Sequence, residues 1–161
     1  MGNVRSGLIG AVVLLGLGAA AALADCAPGA VELRGPSGNQ RFNIDVADDQ
    51  AEQAQGLMFR ETMALSSGML FVFAKPKHAQ FWMKNTLIPL DMIFADASGV
   101  VSKVHANAVP KDLTPIDGGQ DVAFVLEING GLAKRMGIGV GSEMQHPSIN
   151  QTGAAWPCAV Q

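Results

Sequence analysis

The alternation of polar and apolar residues indicates a chain built mainly from short strands. Residues 41–46 (RFNIDV) alternate strictly, which is typical of a strand with one buried face. Residues 69–73 (MLFVF) form a continuous apolar run of strand length, rich in aromatic and β-branched side chains. Similar short segments separated by Gly, Pro and Asp predict further strands at 31–34, 80–85, 91–95, 100–109, 122–129 and 140–145.

Two segments have the pattern of short helices. Asp49 and Glu52 have the spacing of a capping box, and the apolar residues that follow share one helical face, which predicts a helix over residues 49–59. A Gly-Gly pair opens a second short helix over residues 130–136. Gly137 is placed to end that helix in the left-handed conformation.

The turns between strands predict the fold class. Residues 31–34 and 41–46 flank a GPSGN turn, and residues 69–74 and 80–85 flank a KPKH turn, so each pair is expected to form a hairpin. Residues 110–119, with two Pro, two Gly and two Asp, are expected to form a surface loop. We therefore predict a mostly β, α+β fold: a compact antiparallel rolled sheet or small barrel of about seven strands with two short helices.

Four sequence blocks occur in an order that resembles a known family. They are residues 56–60 (GLMFR), 68–73 (GMLFVF), 81–91 (FWMKNTLIPLD) and 126–131 (LEINGG). Together they resemble domain of unknown function (DUF) 192, which is found in bacteria and archaea and often in exported proteins. The resemblance covers about residues 30–145. It implies a compact β-rich domain and brings no established activity, substrate or cofactor.

The N-terminus resembles a signal peptide. Arg5 precedes an uncharged stretch over residues 8–24 that ends in an Ala-x-Ala site, so we predict a leader of residues 1–24 with cleavage after Ala24. A retained membrane anchor is the alternative, although 17 residues are at the short limit for a span. A lipid anchor on Cys26 is disfavoured by Asp25 before it. The chain is therefore expected in the periplasm or outside the cell.

The remaining residues, 25–161, are enough for one domain, with a core over about 30–145 and a polar tail over 146–161. The formal net charge of −3 and the lack of a Lys/Arg run argue against nucleic acid as a partner. Nothing is basic enough to favour an acidic membrane surface, so no membrane contact is expected after cleavage. We expect a monomer.

Two cysteines, Cys26 and Cys158, lie near the two ends of the predicted mature chain. In an oxidising compartment an even number of cysteines indicates a disulfide, with free thiols as the alternative. A bond between these two would close a very long loop and restrain the unfolded chain by about 4 kcal/mol in the entropic account.

The strongest candidate for chemistry is residues 80–91, which place a cation, an amide and an acid in an apolar stretch. In an extended strand Trp82 and Lys84 share one face. One interpretation is structural: Lys84 and Asp91 form an ion pair, and Asn85 fastens the turn. The other is a pocket in which Trp82 forms an apolar wall, and Lys84 and Asn85 bind an anionic or carbonyl group.

Glu127 lies in an apolar strand and is the second candidate. Simple alternation places Ala123, Val125, Glu127 and Asn129 on one face of that strand. If this face is solvated, Glu127 is an ordinary surface acid. If it is buried, the acid needs a partner such as Arg60 or Lys84 and a perturbed pKa is expected. A structural Arg60–Glu127 pair is slightly favoured over catalysis.

Other chemistry is less well supported. Asp91 and Glu127 could form a hydrolytic pair, but a sugar site would need more aromatic platforms than two Trp and no Tyr. The three histidines are scattered without ligand spacing, and the methionines fit core packing better than soft-metal binding. We therefore expect neither a metal nor a cofactor.

The functional expectation is an exported, non-enzymatic module that binds an unknown small molecule or protein. Its ligand-binding candidates are Trp82, Lys84, Asn85, Asp91, Arg60 and Glu127. The alternative is a hydrolase or transferase that uses Asp91 or Glu127 as an acid or base.

Overall fold

The computed structural model describes residues 26–159. Among them, no helix is long and apolar enough to cross a membrane. The elements in chain order are β1 (Ala30–Gly35), β2 (Gly38–Ala47), α1 (Gln50–Gln55), β3 (Ser67–Phe81), β4 (Leu90–Ala95), β5 (Val101–Ala108), β6 (Ile116–Asn129), α2 (Leu132–Arg135) and β7 (Glu143–Gln145).

The seven strands form one curled sheet in the order β5-β4-β6-β3-β2-β1-β7. Neighbouring strands are antiparallel except β2 and β3, which are parallel and are connected through α1. Hydrogen bonds from Val101 N to Ser142 O and from Met144 N to Gly99 O, each 2.8 Å, join the two ends of the sheet. Apart from these contacts at one end, the curled sheet is a half-barrel; with its two short helices it confirms the predicted mostly β class.

The central strands bury side chains on both faces. The cluster on one face, here called the first core, also receives side chains from β1, β2 and α2. The cluster on the other face, the second core, is covered by the loops that follow α1 and β3. The largest fully buried side chains of the first core are Leu33, Phe42, Leu70, Ile93, Leu126, Ile128 and Leu132, and those of the second core are Leu57, Met83, Leu90, Met92 and Phe94.

The predicted helix signals are confirmed, but the helices are shorter than expected. The carboxylate of Asp49 accepts a hydrogen bond from Glu52 N at 2.8 Å, which is one half of a capping box. The Glu52 carboxylate in turn accepts from Asp48 N at 3.2 Å, one residue before the position that a full capping box uses. Helix α1 ends at Gln55 because Gly56 has φ +49° and turns the chain. Gly137 has φ +66°, which confirms its left-handed position after α2.

The predicted hairpin between residues 69–74 and 80–85 is wrong. Strand β3 continues through this region to Phe81 and pairs with β6 on both sides of a register shift between Val72 and Lys77. Pro76 lies inside that unpaired interval, where its missing N–H costs no ladder hydrogen bond. Because Phe81 pairs with Ile116, β6 also begins inside the predicted 110–119 loop.

The ends of the described chain are joined. Cys26 and Cys158 form a disulfide with a Cα–Cα distance of 5.6 Å across 132 residues of sequence, which confirms the predicted bond. Such a bond is typical of a non-reducing compartment. In the C-terminal tail, Ile149 is buried in the first core and the Arg34 guanidinium lies 4.9 Å from the Trp156 ring centroid. The predicted leader, residues 1–24, lies outside the described residues.

Candidate functional site

Asp91 is a structural carboxylate that organises one end of the sheet. Its side chain is fully buried and accepts hydrogen bonds from the backbone N–H groups of Asn107, Gly131 and Ala133, each at 2.8 Å. It therefore ties β4 to the end of β5 and to the start of α2. Three donors supply the stabilisation that a buried carboxylate needs.

The predicted Lys84–Asp91 ion pair is wrong. Lys84 is exposed, and its ammonium lies 5.2 Å from the centroid of the Trp82 ring. None of the ion pairs found within residues 26–159 includes Lys84. The pair fails because the backbone donors already surround Asp91 in the interior, while Lys84 lies in the loop outside it.

Asn85 fastens two loops together. It adopts a left-handed conformation with φ +55°, which Asn tolerates better than most residues. Its carbonyl accepts a hydrogen bond from Phe59 N at 2.9 Å, and its side-chain amide lies 3.9 Å from the sulfur of Met58. The turn around Asn85 is therefore fixed against the loop that follows α1.

A groove runs between this loop and the end of β3. It contains a cavity of about 140 Å³ beside the end of α1, and Trp82 separates that cavity from a second one of about 340 Å³ next to Pro115. Trp82 is 51% exposed. The ammonium of Lys77 lies 3.7 Å from the centroid of the Phe73 ring in the wall of the first cavity. The groove thus combines exposed aromatic surface with a cation held at its edge.

The loops around the groove share two features, which concern only residues 26–159. Most of the large exposed apolar side chains lie on these loops: Phe59, Leu65, Trp82, Leu87, Val109 and Leu113. Three of the five non-glycine residues with positive φ also lie there, namely Phe59, Asn85 and Lys111, and a fourth, Asn107, lies near the end of β5. Such conformations cost free energy and are concentrated at functional sites.

Glu127 is buried in the second core. Strand pairing places it directly between Met69 on β3 and Met92 on β4, and its side chain is 5% exposed. Burial raises the pKa of the Glu127 carboxyl from 4.5 to about 8. Within the described part of the chain, its side chain has neither a hydrogen bond nor an ion pair.

The predicted Arg60–Glu127 pair is wrong. The Arg60 guanidinium instead pairs with the Asp45 carboxylate on β2, at the surface. The face of the strand was also partly misassigned, because Ala123 packs in the first core and Val122 in the second. The alternation is thus broken between Ala123 and Phe124, and the simple pattern holds only beyond that point.

Asp91 and Glu127 cannot form a catalytic pair. Asp91 lies on the same face of β4 as Ile93, in the first core, whereas Glu127 is opposite Met92 and faces the second core. Side chains of neighbouring β4 residues point to opposite faces of the sheet. The sheet therefore separates the two carboxyl groups, and no single substrate bond could lie between them.

Sequence reasoning missed the two methionines that flank Glu127 and the role of Lys77 in the groove. It also missed a surface contact in which the His78 ring lies 2.6 Å from the Asp117 carboxylate; this hydrogen bond lowers the pKa of Asp117. They depend on the continuous course of β3 and on the pairing of β3 and β4 with β6. Because the sequence analysis divided β3 into the two strands of a hairpin, it could not predict these contacts.

These features define a small curled β domain with a groove at one end of the sheet. The sequence matches the family DUF192, described as "Uncharacterized ACR, COG1430", over residues 32–146, and the chain belongs to this family. No curated protein matches it.

Two solved structures are similar. One is a protein of unknown function from Novosphingobium aromaticivorans DSM 12444, 46% identical, with a TM-score of 0.70 over 71% of this chain and 82% of that one. The other, from Sinorhizobium meliloti 1021, is described as a "putative transcription regulator". It is 38% identical, with a TM-score of 0.73 over 78% of this chain and 98% of that one.

Proposed function

We propose that this protein is an exported, non-enzymatic binding domain whose ligand is a small molecule with a flat apolar part and an anionic group. The observation that carries the proposal is the exposed Trp82 ring between two cavities, with the Lys77 ammonium in the wall of one of them. An aromatic platform beside a cation favours an aromatic anion, because the ring supplies apolar contact and the cation supplies charge.

The proposed groove changes the roles of the predicted ligand residues. Trp82 contacts the ligand, and Lys84, which lies near the Trp82 ring, adds positive charge beside it. Asn85 and Asp91 act indirectly by fixing the loops, whereas Arg60 lies in the wall of a neighbouring cavity. Lys77 is added as the principal cation of the groove.

Export is part of the proposal. The predicted leader of residues 1–24 and the Cys26–Cys158 bond both support a periplasmic or extracellular location for a single domain over residues 25–161. The net charge of −3 argues against nucleic acid as the ligand, despite the description of the Sinorhizobium relative. We expect the domain to act as a monomer.

The enzyme alternative has less support. The Asp91 carboxylate already accepts three backbone hydrogen bonds, and Glu127 lies on the other side of the sheet. A hydrolase or transferase would need one of them to reach a substrate by itself, without the second carboxylate as its partner.

Fluorescence of Trp82 can test the proposal. In Trp156→Phe, Trp82 is the remaining tryptophan. Titration with naphthalene-2-carboxylate is expected to change its emission and to raise the unfolding temperature, and the neutral amide of the same ring is expected to act more weakly. Lys77→Met should reduce the difference between acid and amide, and Trp82→Ala should abolish the thermal shift.

Val140→Ser is the matched control, because Val140 is an exposed apolar residue that lines neither cavity of the groove. It should bind as the parent does. An equal thermal shift in Trp82→Ala, or no stabilisation by the acid at millimolar concentration, would contradict the proposal.

A further inference from the structure

Glu127 differs from the other buried polar residues between 26 and 159. The rest of this group each have a side-chain hydrogen bond: Glu32, Thr86, Asp91, Ser142, Gln145 and His146. Glu127 has none, although only 5% of its surface is exposed. Among the described residues no side-chain nitrogen or oxygen atom is both fully enclosed and without a hydrogen-bond partner, so the Glu127 carboxyl keeps a small contact with solvent. The rest of its surroundings are apolar, and a carboxylate without a compensating charge is expensive there.

The strand register places Glu127 in the middle of a row that crosses five strands. Directly paired residues run from Asp45 on β2 through Met69, Glu127 and Met92 to His105 on β5. Paired side chains in neighbouring strands share one face and lie about 5 Å apart at their Cβ atoms. A methionine side chain therefore lies beside Glu127 on each of the two neighbouring strands.

From this arrangement we infer a binding site for a soft monovalent cation, with Met69, Glu127 and Met92 as its ligands and Cu(I) as the biological ion. Thioether sulfur selects soft ions such as Cu(I). A cation of charge +1 would neutralise an ionised Glu127, so that the ion and the carboxylate could be buried together. Core packing alone explains the methionines but gives no reason for an acid between them.

The row is connected to solvent. Met69 lines an open cavity of about 710 Å³ that is also bordered by Met58 and Arg60. The loop above the row is held by the Asn129 amide, which donates hydrogen bonds to the carbonyls of Met63 (3.1 Å) and Ala64 (3.0 Å). The cavity therefore gives solvent and a dissolved ion access to Met69, which is next to Glu127 in the row.

This inference does not rest on the groove beside Trp82. The two sites use different residues, and a cation and an aromatic anion are different ligands. Failure of naphthalene-2-carboxylate to bind would leave the cation site standing, and the reverse also holds.

Titration of the metal-free protein with Ag(I), a redox-inert substitute for Cu(I), tests the site. One Ag(I) per chain is expected to bind in chloride-free buffer. Met69→Leu and Met92→Leu, which keep the apolar volume but remove the sulfur, should each weaken binding about tenfold or more, and so should Glu127→Gln. Met144→Leu is the control, because Met144 is fully buried in the first core.

Three results would overturn the inference: no binding of Ag(I), unchanged affinity in Glu127→Gln, or an equal loss in Met144→Leu and Met69→Leu. Circular dichroism of each variant shows whether the fold is retained. Glu127→Gln keeps the shape of the side chain and removes the ionisable carboxyl group, so the comparison does not depend on a variant that fails to fold.

Discussion

Two acids are buried on adjacent strands of the sheet, Asp91 on β4 and Glu127 on β6, and they face opposite cores. Asp91 accepts three backbone hydrogen bonds, whereas Glu127 lies between two methionines. The two side chains are therefore buried to a similar extent, but the groups that surround them differ. The number of hydrogen-bond donors around each acid, more than its burial, therefore distinguishes the two residues, and it identifies Asp91 as the one that holds the fold together.

The largest difference is expected from Asp91→Ala. The substitution leaves three backbone N–H groups without an acceptor at the junction of β4, β5 and α2. We expect a loss of roughly 3–5 kcal/mol in the free energy of unfolding, measured by urea denaturation. A loss below about 1 kcal/mol would mean that solvent replaces the carboxylate and that the contrast with Glu127 is not real.

The substitution Glu127→Gln should change the free energy of unfolding in the opposite direction and stabilise the protein at high pH. Because the folded-state pKa is raised from 4.5 to about 8, the native protein holds a proton that the unfolded chain releases. This contribution to stability is fully present below pH 4.5 and is lost as the pH rises to about 8. In metal-free buffer, Glu127→Gln should lack this decline and should be more stable than the parent at pH 9 by roughly 1–3 kcal/mol.

Urea denaturation at several pH values between 4 and 9 provides the measurement. The difference in unfolding free energy between parent and variant is the informative quantity, since other groups titrate equally in both. If the unfolding free energies of parent and variant changed with pH in parallel, Glu127 would ionise with an ordinary pKa and would therefore have a partner in solution.

The smallest effect is expected from Lys84→Met. Lys84 is exposed and its nearest favourable contact is the Trp82 ring at 5.2 Å, so the change should alter the free energy of unfolding by no more than about 0.5 kcal/mol. Thermal or chemical denaturation suffices to measure it. A loss of several kcal/mol in the free energy of unfolding would support the ion pair between Lys84 and Asp91. It would argue against the conclusion that backbone donors alone satisfy Asp91.

Local patterns predicted much of the fold. The capping box at Asp49, the left-handed Gly137 and strands β4 and β5 each depend on residues that are close in sequence. The family resemblance also predicted the β-rich architecture. Errors arose where a local signal was overridden by pairing with a distant strand: Pro76 suggested a turn, but β6 holds both halves of β3 in one continuous element.

The candidate site was harder to predict than the fold. The donors to Asp91 are 16, 40 and 42 residues away, so the nearby Lys84 was the more obvious partner. For Glu127, the flanking methionines become visible only once the register of β3 and β4 against β6 is known. Partners that are distant in sequence carry no local pattern, and neither their presence nor their absence can be seen without the topology.

The bond between Cys26 and Cys158 turns nearly the whole described chain into a covalent ring. A protease that cuts one surface loop opens this ring at a single point and releases no fragment. The two pieces remain linked at their far ends and share the same sheet, so a cut domain can persist as one particle until the disulfide is reduced. In a non-reducing compartment, where the disulfide persists, the bond therefore gives the domain tolerance to a first cut.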